Sequence, residues 1–387
     1  MLVTHVELTD FRNYTGLTLE LSSGPTLIVG SNGQGKTNLV EALGFLSTLG
    51  SHRVSTDHAM VRQGADAAIV RVRLEHNERK FLAEVQINRS GANRAQINRS
   101  VIRTRELPRY FSSVLFAPED LSLVRGEPSG RRRFIDDLLV LRSPRFSGVI
   151  SDYERVVKQR NMLLKSARAS GVRDTQLSTL DVWDERLIAF GAEIISARSA
   201  LVADLSPEVS NAYKRIVGAD HGASLANSLS IISRNDDSES TVATNDVGEI
   251  ISIADATTAF TAALDSVRKV ERDRAITLVG PHRDDLIFGL NGLPARGYAS
   301  HGESWSFALA LKLASAELLR RDSAAGDPVL ILDDVFAELD KSRRERLADS
   351  IAGFEQVLIT AAVFEDVPER LAAKVVHIHA GEVVTDE

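Results

Sequence analysis

The sequence contains no cysteine. That absence excludes a disulfide framework, a thiolate metal site and a cysteine nucleophile, and it suits a reducing compartment. No apolar run approaches the roughly 20 residues a membrane helix needs. The opening MLVTHVELTD lacks a basic start and is broken by His5, Glu7 and Asp10, so no signal peptide is expected there. Apolar heptads are not sustained, and no helix-turn-helix or zinc-finger pattern occurs. A cytoplasmic protein with no membrane partner and no base-specific readout is expected.

The 387 residues leave room for two domains or for one domain with an insertion. With 43% hydrophobic and 26% charged residues, the balance is that of a globular chain with a packed core. The formal net charge of −7 weighs against indiscriminate nucleic-acid binding, but the charge is uneven. From Arg53 to Arg145 there are 18 Arg plus Lys against 11 Asp plus Glu. Either these are solvated faces or one of them is turned toward DNA.

Val3 to Leu8 and Leu17 to Leu21 alternate apolar and polar residues, the period of half-buried strands. Gly24 and Pro25 predict a turn, and Thr26 to Val29 is a short apolar run that reads as a buried central strand. From Lys36 the spacing is helical, with Leu39, Leu43 and Leu46 on one stripe. Alternation returns between Ile69 and Ile102, which predicts antiparallel sheet. There the pentapeptide QINRS occurs at Gln86 to Ser90 and again at Gln96 to Ser100, around a turn at Gly91, Ala92 and Asn93.

Arg131 to about Asp273 is mostly helical in pattern, clearest at Arg155 to Ala167 and Trp183 to Leu205, and Ser233 to Asn245 reads as an exposed loop. Strand character resumes at Ala275 to Val279 and Leu286 to Leu290. The expected fold is α/β: residues 1–115 and 275–387 form one head with an antiparallel β lobe, and 116–274 is an inserted, mostly helical domain.

Gly30 to Thr37 reads GSNGQGKT, a complete phosphate loop between a strand and a helix. Gly30, Ser31, Asn32, Gly33, Gln34 and Gly35, with Asn38 behind them, are candidates to cradle ATP phosphates. Lys36 would reach the outer phosphates and Thr37 would hold Mg2+. Val329 to Leu332 runs into Asp333 and Asp334, a Walker B pattern in which Asp333 is the candidate metal ligand and Asp334 the candidate general base or water-orienting carboxylate. Ser300, Gly302 and Glu303 precede a helical stretch. Alone they make a helix cap; with the two Walker segments they look like the ABC signature, whose serine and glycine complete the nucleotide site of an opposing protomer.

The two Walker segments stand far apart, as in small SMC-like heads. Leu8 to Tyr14 (LTDFRNY), Ala117 to Asp136 (APEDLSLVRGEPSGRRRFID) and Gly280 to Leu286 (GPHRDDL) together resemble the RecF family over essentially the whole chain. The resemblance implies an ABC-ATPase-like head that binds ATP and Mg2+ and dimerises with ATP. It also implies a role in gap repair, replication-fork recovery and the SOS response on single-stranded, duplex or gapped DNA, helping to load RecA with RecR and, as a further candidate, RecO. Arg12 matches the arginine that points at the nucleotide in SMC-like heads; a surface salt bridge is its alternative.

Arg131, Arg132 and Arg133 lie at a predicted helix start, where they serve either DNA contact or internal pairing. His282, Arg283, Asp284 and Asp285 suggest an interdomain or nucleotide-side network without a metal. Asp334 stands where ABC ATPases commonly place glutamate, and Thr360, Ala361 and Ala362 stand where a histidine is usual. A weak, DNA-stimulated, switch-like ATPase is expected. The competing expectations are a nucleotide-stabilised scaffold and an ABC-type NTPase with no DNA role.

Overall fold

The computed structural model describes residues 1–76, 79–170, 178–232, 250–322 and 326–384; the polar stretch Ser233 to Asn245 lies outside them. In chain order the elements begin with β1 (Leu2–Phe11), β2 (Tyr14–Glu20), β3 (Gly24–Val29), α1 (Lys36–Thr48), β4 (Ala67–His76), β5 (Arg79–Asn88), β6 (Arg94–Ile97), β7 (Ser100–Ile102) and β8 (Ser113–Phe116). Then come α2 (Leu121–Arg125), α3 (Pro128–Arg142), α4 (Phe146–Ser170), α5 (Ser178–Val217), β9 (Ser224–Ser228), α6 (Ile253–Arg274), β10 (Asp285–Leu290), β11 (Leu293–Pro294) and α7 (Ala295–Tyr298). The chain closes with α8 (His301–Asp322), β12 (Val329–Asp333), α9 (Lys341–Ile351), β13 (Gln356–Ala361), β14 (Lys374–His379) and β15 (Glu382–Val384).

Two compact units result, one of residues 1–122, 211–220 and 301–387, the other of residues 123–210 and 221–300. The first holds two six-stranded sheets. One is antiparallel, in the order β2-β1-β4-β5-β6-β7, and buries one face through Val6, Leu8, Val70, Val72 and Val85. Both copies of QINRS end a strand and enter a turn: the first closes β5, the second closes β6. Asn98 and Arg99 both take positive φ (50° and 68°), the conformation of a two-residue hairpin loop.

The other sheet has the order β15-β14-β3-β13-β12-β8. All of its pairings are parallel except β14 with β15. Every residue of β12 and β13 is buried, which is why both read as unbroken apolar runs rather than alternating ones. Gln356, buried at the start of β13, exchanges hydrogen bonds with the backbone of Val3 and donates to Ser22 O, tying the parallel sheet to β1.

The second unit packs helices and a small sheet, β11-β10-β9, around Tyr153, Leu187, Ile195 and Phe260. Two strand expectations change here. Ala275 to Val279 is not a strand: Ala275 takes a left-handed φ of 56° and ends α6, and Thr277 is held by hydrogen bonds to Asn161 and Arg160. Leu286 to Leu290 is a strand, but β10 pairs with β9 and not with the head. Residues 275–300 therefore group with the second unit, and residues 211–220 return to the first. Pairing across a long separation drew these limits, and composition does not record it.

Candidate functional site

The phosphate loop leaves β3 between a backbone carbonyl on one side and two side chains on the other. Gly33 and Gly35 take φ of 83° and 118°. A Cβ on Gly35 would lie 2.8 Å from both Asn13 Nδ2 and Tyr14 Oη, so only glycine fits there. Asn13 Nδ2 donates to Gln34 O (3.2 Å) and Tyr14 Oη to Gly35 O (3.0 Å), so the turn after β1 clamps the loop from behind. Gly381 N and Ala380 N donate to Gln34 O and Oε1 from the turn after β14. Asn38 bridges Asn13 Oδ1 and Arg53. Ser31, Asn32 and Gly33 are left exposed.

Lys36 is buried, with Nζ donating to Gly30 O (2.7 Å). Strand order then brings the carboxylates in. β13 lies between β3 and β12, and Thr360 at its end pairs with Asp333 at the end of β12. Thr360 Oγ1 donates to Asp333 Oδ1 (2.6 Å), Thr37 Oγ1 donates to the same oxygen (3.2 Å), and Asp334 N donates to Thr360 Oγ1 (3.0 Å). Burial, with Asp334 adjacent, pushes the Asp333 carboxyl up to about 6. No lysine or arginine pairs with it among the described residues. Asp334 sits at a left-handed φ of 51°, and its carboxylate has no hydrogen bond or ion pair among them.

A buried carboxyl beside a hydroxyl, short of positive charge, at the mouth of a loop of backbone amides is a donor set that fits a divalent cation shared with a triphosphate. Among the described residues no group of three or more His, Asp or Glu could hold a metal by themselves. A cation here would therefore rely on the phosphates for part of its shell.

Gly302 and Glu303 open α8, and a Cβ on Gly302 would lie 3.3 Å from Arg343 of α9. Ser300 is exposed, immediately before the helix. Arg12, partly exposed, is held within the chain. Its Nε and NH2 grip Glu41 (2.8 and 2.6 Å), and its NH1 donates to Ala59 O (2.9 Å). Burial alone would raise Glu41, but hydrogen bonds from Arg12 and Ser51 and the nearby Arg53 hold its carboxyl below the usual range.

Residues 2–380 match the family model described as the RecF/RecN/SMC N terminal domain. The chain is 66% identical to the DNA replication and repair protein RecF of Clavibacter sepedonicus, with 99% of this chain and 95% of that protein covered. The chain belongs to the RecF family. The RecF of Clavibacter michiganensis subsp. michiganensis is 65% identical over 99% of this chain and 96% of its own. Among solved structures, the recombination mediator protein RecF-ATP of the RecFOR pathway superposes with a TM-score of 0.86 at 27% identity, covering 100% of this chain and 97% of that one.

The RecF-type stretches in the second unit are largely paired within that unit, with Arg133 and Arg283 left exposed. Arg131 is buried, bidentate to Asp285 (2.7 and 2.8 Å), and donates to Gly126 O and Leu123 O, so it is a strut and not a DNA contact. Arg132 donates to Asp284 O, and Arg133 pairs with Asp137. His282 accepts or donates to Tyr153 Oη at 2.7 Å, Asp284 Oδ1 takes two bonds from Ser230, and Arg283 donates to Thr277 O. Every one of these partners lies in the same unit, so the expected interdomain or nucleotide-side network is instead a network within the second unit.

Four residues that matter to the loop escaped the sequence. In sequence Thr360 marks only the position of a missing histidine, and Glu41, Asn13 and Tyr14 carry no spacing signal because their partners are set by folding. Asn13 and Tyr14 do fall within the LTDFRNY stretch, which was the available clue.

Proposed function

We propose that the chain is an ATP-switched DNA-binding protein of recombinational repair, active in the cytoplasm in gap repair, replication-fork recovery and SOS induction. In this role it helps to load RecA together with RecR and RecO. The observation that carries the nucleotide half is Asp333 Oδ1, which takes hydroxyls from Thr37 of the phosphate loop and Thr360 of the neighbouring strand. The relatives named DNA replication and repair protein RecF and the RecF-ATP neighbour of the RecFOR pathway support the role in recombinational repair.

Gly30 to Thr37 and Asn38 hold the phosphates through backbone amides and the start of α1. Lys36 meets the outer phosphates, and Thr37 and Asp333 hold Mg2+. Bound ATP with Mg2+ supplies the anhydride that is cleaved. Asp334, unpaired and half-buried, orients or deprotonates the attacking water. Arg12 acts through Glu41, as a positioning residue. Ser300, Gly302 and Glu303 serve the site of a second protomer, so two chains clasp two nucleotides and open again after turnover. With aspartate at 334 and no histidine at 360–362, turnover is slow and stimulated by DNA.

Sedimentation with and without ATP, and mobility shifts on single-stranded, duplex and gapped DNA, test this. ATP should produce a dimer and strengthen binding to at least one DNA, and Lys36→Ala should abolish both effects. Dimerisation and DNA binding that persist unchanged in Lys36→Ala while ATP binding is lost would sink the switch.

A further inference from the structure

From Arg89 to Tyr110 the sequence carries six arginines and one acid, Glu106. Arg89 is engaged internally, with donors to Ala65 O (2.8 Å) and Arg62 O (2.7 Å). Arg94, Arg99, Arg103, Arg105 and Arg109 are all exposed. No side-chain hydrogen bond or ion pair reaches any of the five among the described residues.

The antiparallel sheet gathers them. β6 and β7 pair with Ala95 opposite Ile102 and Ile97 opposite Ser100. One further step in that register sets Arg94 opposite Arg103, and just beyond it Thr104 Oγ1 donates to Asn93 O (3.2 Å). Arg99 occupies the turn at the other end, and Arg105 and Arg109 ride the 3-10 turn Thr104–Arg109 that follows. Arg99 and Arg103 are thus about 13 Å apart along the edge strand, at roughly 3.3 Å per residue.

Like charges facing each other across a strand pair cost stability. Elsewhere on this sheet the problem is solved locally, since Arg71 and Arg73 are paired with Glu7 and Glu84. Among the described residues nothing equivalent serves the β6–β7 edge: Glu84 is committed to Arg71, and Asp57 accepts from Asn93 Nδ2 (2.7 Å). Glu106 remains, one carboxylate among five guanidinium groups. A charge or two suffices to blunt an edge strand against aggregation, and lysine is the usual choice. Here every cation is arginine, whose planar fork matches phosphate oxygens. The segment's aromatic content is limited to the half-buried Tyr110, so it offers no platform for stacking unpaired bases.

We propose that Arg94, Arg99, Arg103, Arg105 and Arg109 form a surface that grips the phosphate backbone of duplex DNA. The proposal rests on the DNA-binding role argued above, and it assigns that role to the β6–β7 edge in place of the buried Arg131. Contacts of this kind are independent of base sequence and steeply salt-dependent.

The test is fluorescence anisotropy of a labelled blunt duplex across a salt series, with ATP, on the full-length protein. Arg99→Gln, Arg103→Gln and Arg105→Gln combined should weaken binding and flatten the log–log salt slope by about 2.7, at roughly 0.9 per phosphate contact removed. The same three positions changed to lysine should keep most of that slope. ATP binding should match the wild type in both variants and the thermal melt should not fall, because none of the three side chains holds an internal partner among the described residues. A glutamine variant with wild-type affinity and slope overturns the surface assignment. Wild-type protein that binds no duplex overturns the DNA-binding role itself. Labelled polyglutamate that depends on the three arginines while duplex does not identifies an acidic protein as the partner and also overturns the proposal.

Discussion

Arg131 and Arg103 belong to neighbouring arginine-rich stretches, and in sequence Arg131 to Arg133 is the more conspicuous cluster. The structure reverses their accessibility. Arg131 is buried with its donors on Asp285, Leu123 and Gly126, whereas Arg103 and four companions stand exposed without a partner among the described residues. Density of charge in sequence therefore says little about where charge is available. What decides is whether the fold brings a carboxylate to meet it.

The comparison breaks most visibly at Arg160, the extreme of an internal arginine. It is fully buried and bonded to Asp184 (2.6 Å), Glu271 (2.7 Å) and Thr277 (2.9 Å). Removing it takes the main cation from buried Glu271 and leaves Asp184 only Arg268 at 3.7 Å, so Arg160→Ala should cost about 3 to 5 kcal/mol in urea unfolding, or prevent folding. Arg131→Ala should cost about 3 kcal/mol, at the lower end because Asp285 keeps some exposure. A loss under 1 kcal/mol at both positions would mean that these ion pairs are not the struts described.

Acid sharpens the contrast within the second unit. Burial pushes His282 down to about 4, so the stability gained by keeping it neutral is complete above its ordinary 6.5 and is lost as pH falls toward 4. Asp284 is pushed by burial up to about 6, so its contribution is fully present below 3.8 and is lost as pH rises through 6. Between pH 7 and 5 the two oppose each other. Asp284→Asn keeps an oxygen for Ser230 and removes the compensation, so its melting temperature should fall more steeply than the wild type's over that interval. Parallel slopes in the two proteins would count against the assignment.

Thr360 gives an intermediate case in the head. Thr360→Val removes the donor to Asp333 and the acceptor for Asp334 N, which should cost about 1 to 3 kcal/mol and weaken ATP binding. Unchanged ATP affinity would show that Asp333 is oriented by other means. The smallest effect is expected at the exposed edge, where Arg103→Gln should change stability by less than about 0.5 kcal/mol or raise it slightly. Calorimetric melts of that variant and of Arg131→Ala, run side by side, measure the contrast directly.

Much of the site was legible because its parts are local. Gly30 to Thr37 is contiguous, and a run such as Val329 to Leu332 ending in aspartate announces a buried strand on its own. The boundary near residue 300 was not legible, since β10 has the pattern of a head strand and only its pairing with β9 removes it. For Arg12 the resemblance points at the nucleotide, and its pairing with Glu41, one turn into α1, is set by folding and carries no spacing signal.

By itself the sequence determined the phosphate loop, the Walker B strand, the antiparallel alternation of β4 and β5 and the helical character of the insertion. Each follows from the spacing of side chains along a few consecutive residues, which fixes backbone geometry and the buried face. Tertiary structure alone decided that Thr37, Thr360 and Asp333 share one oxygen, that Arg131 turns inward, and that the β6–β7 arginines face solvent unpaired. Those outcomes depend on which distant carboxylate, hydroxyl or strand arrives opposite, and periodicity carries no information about that.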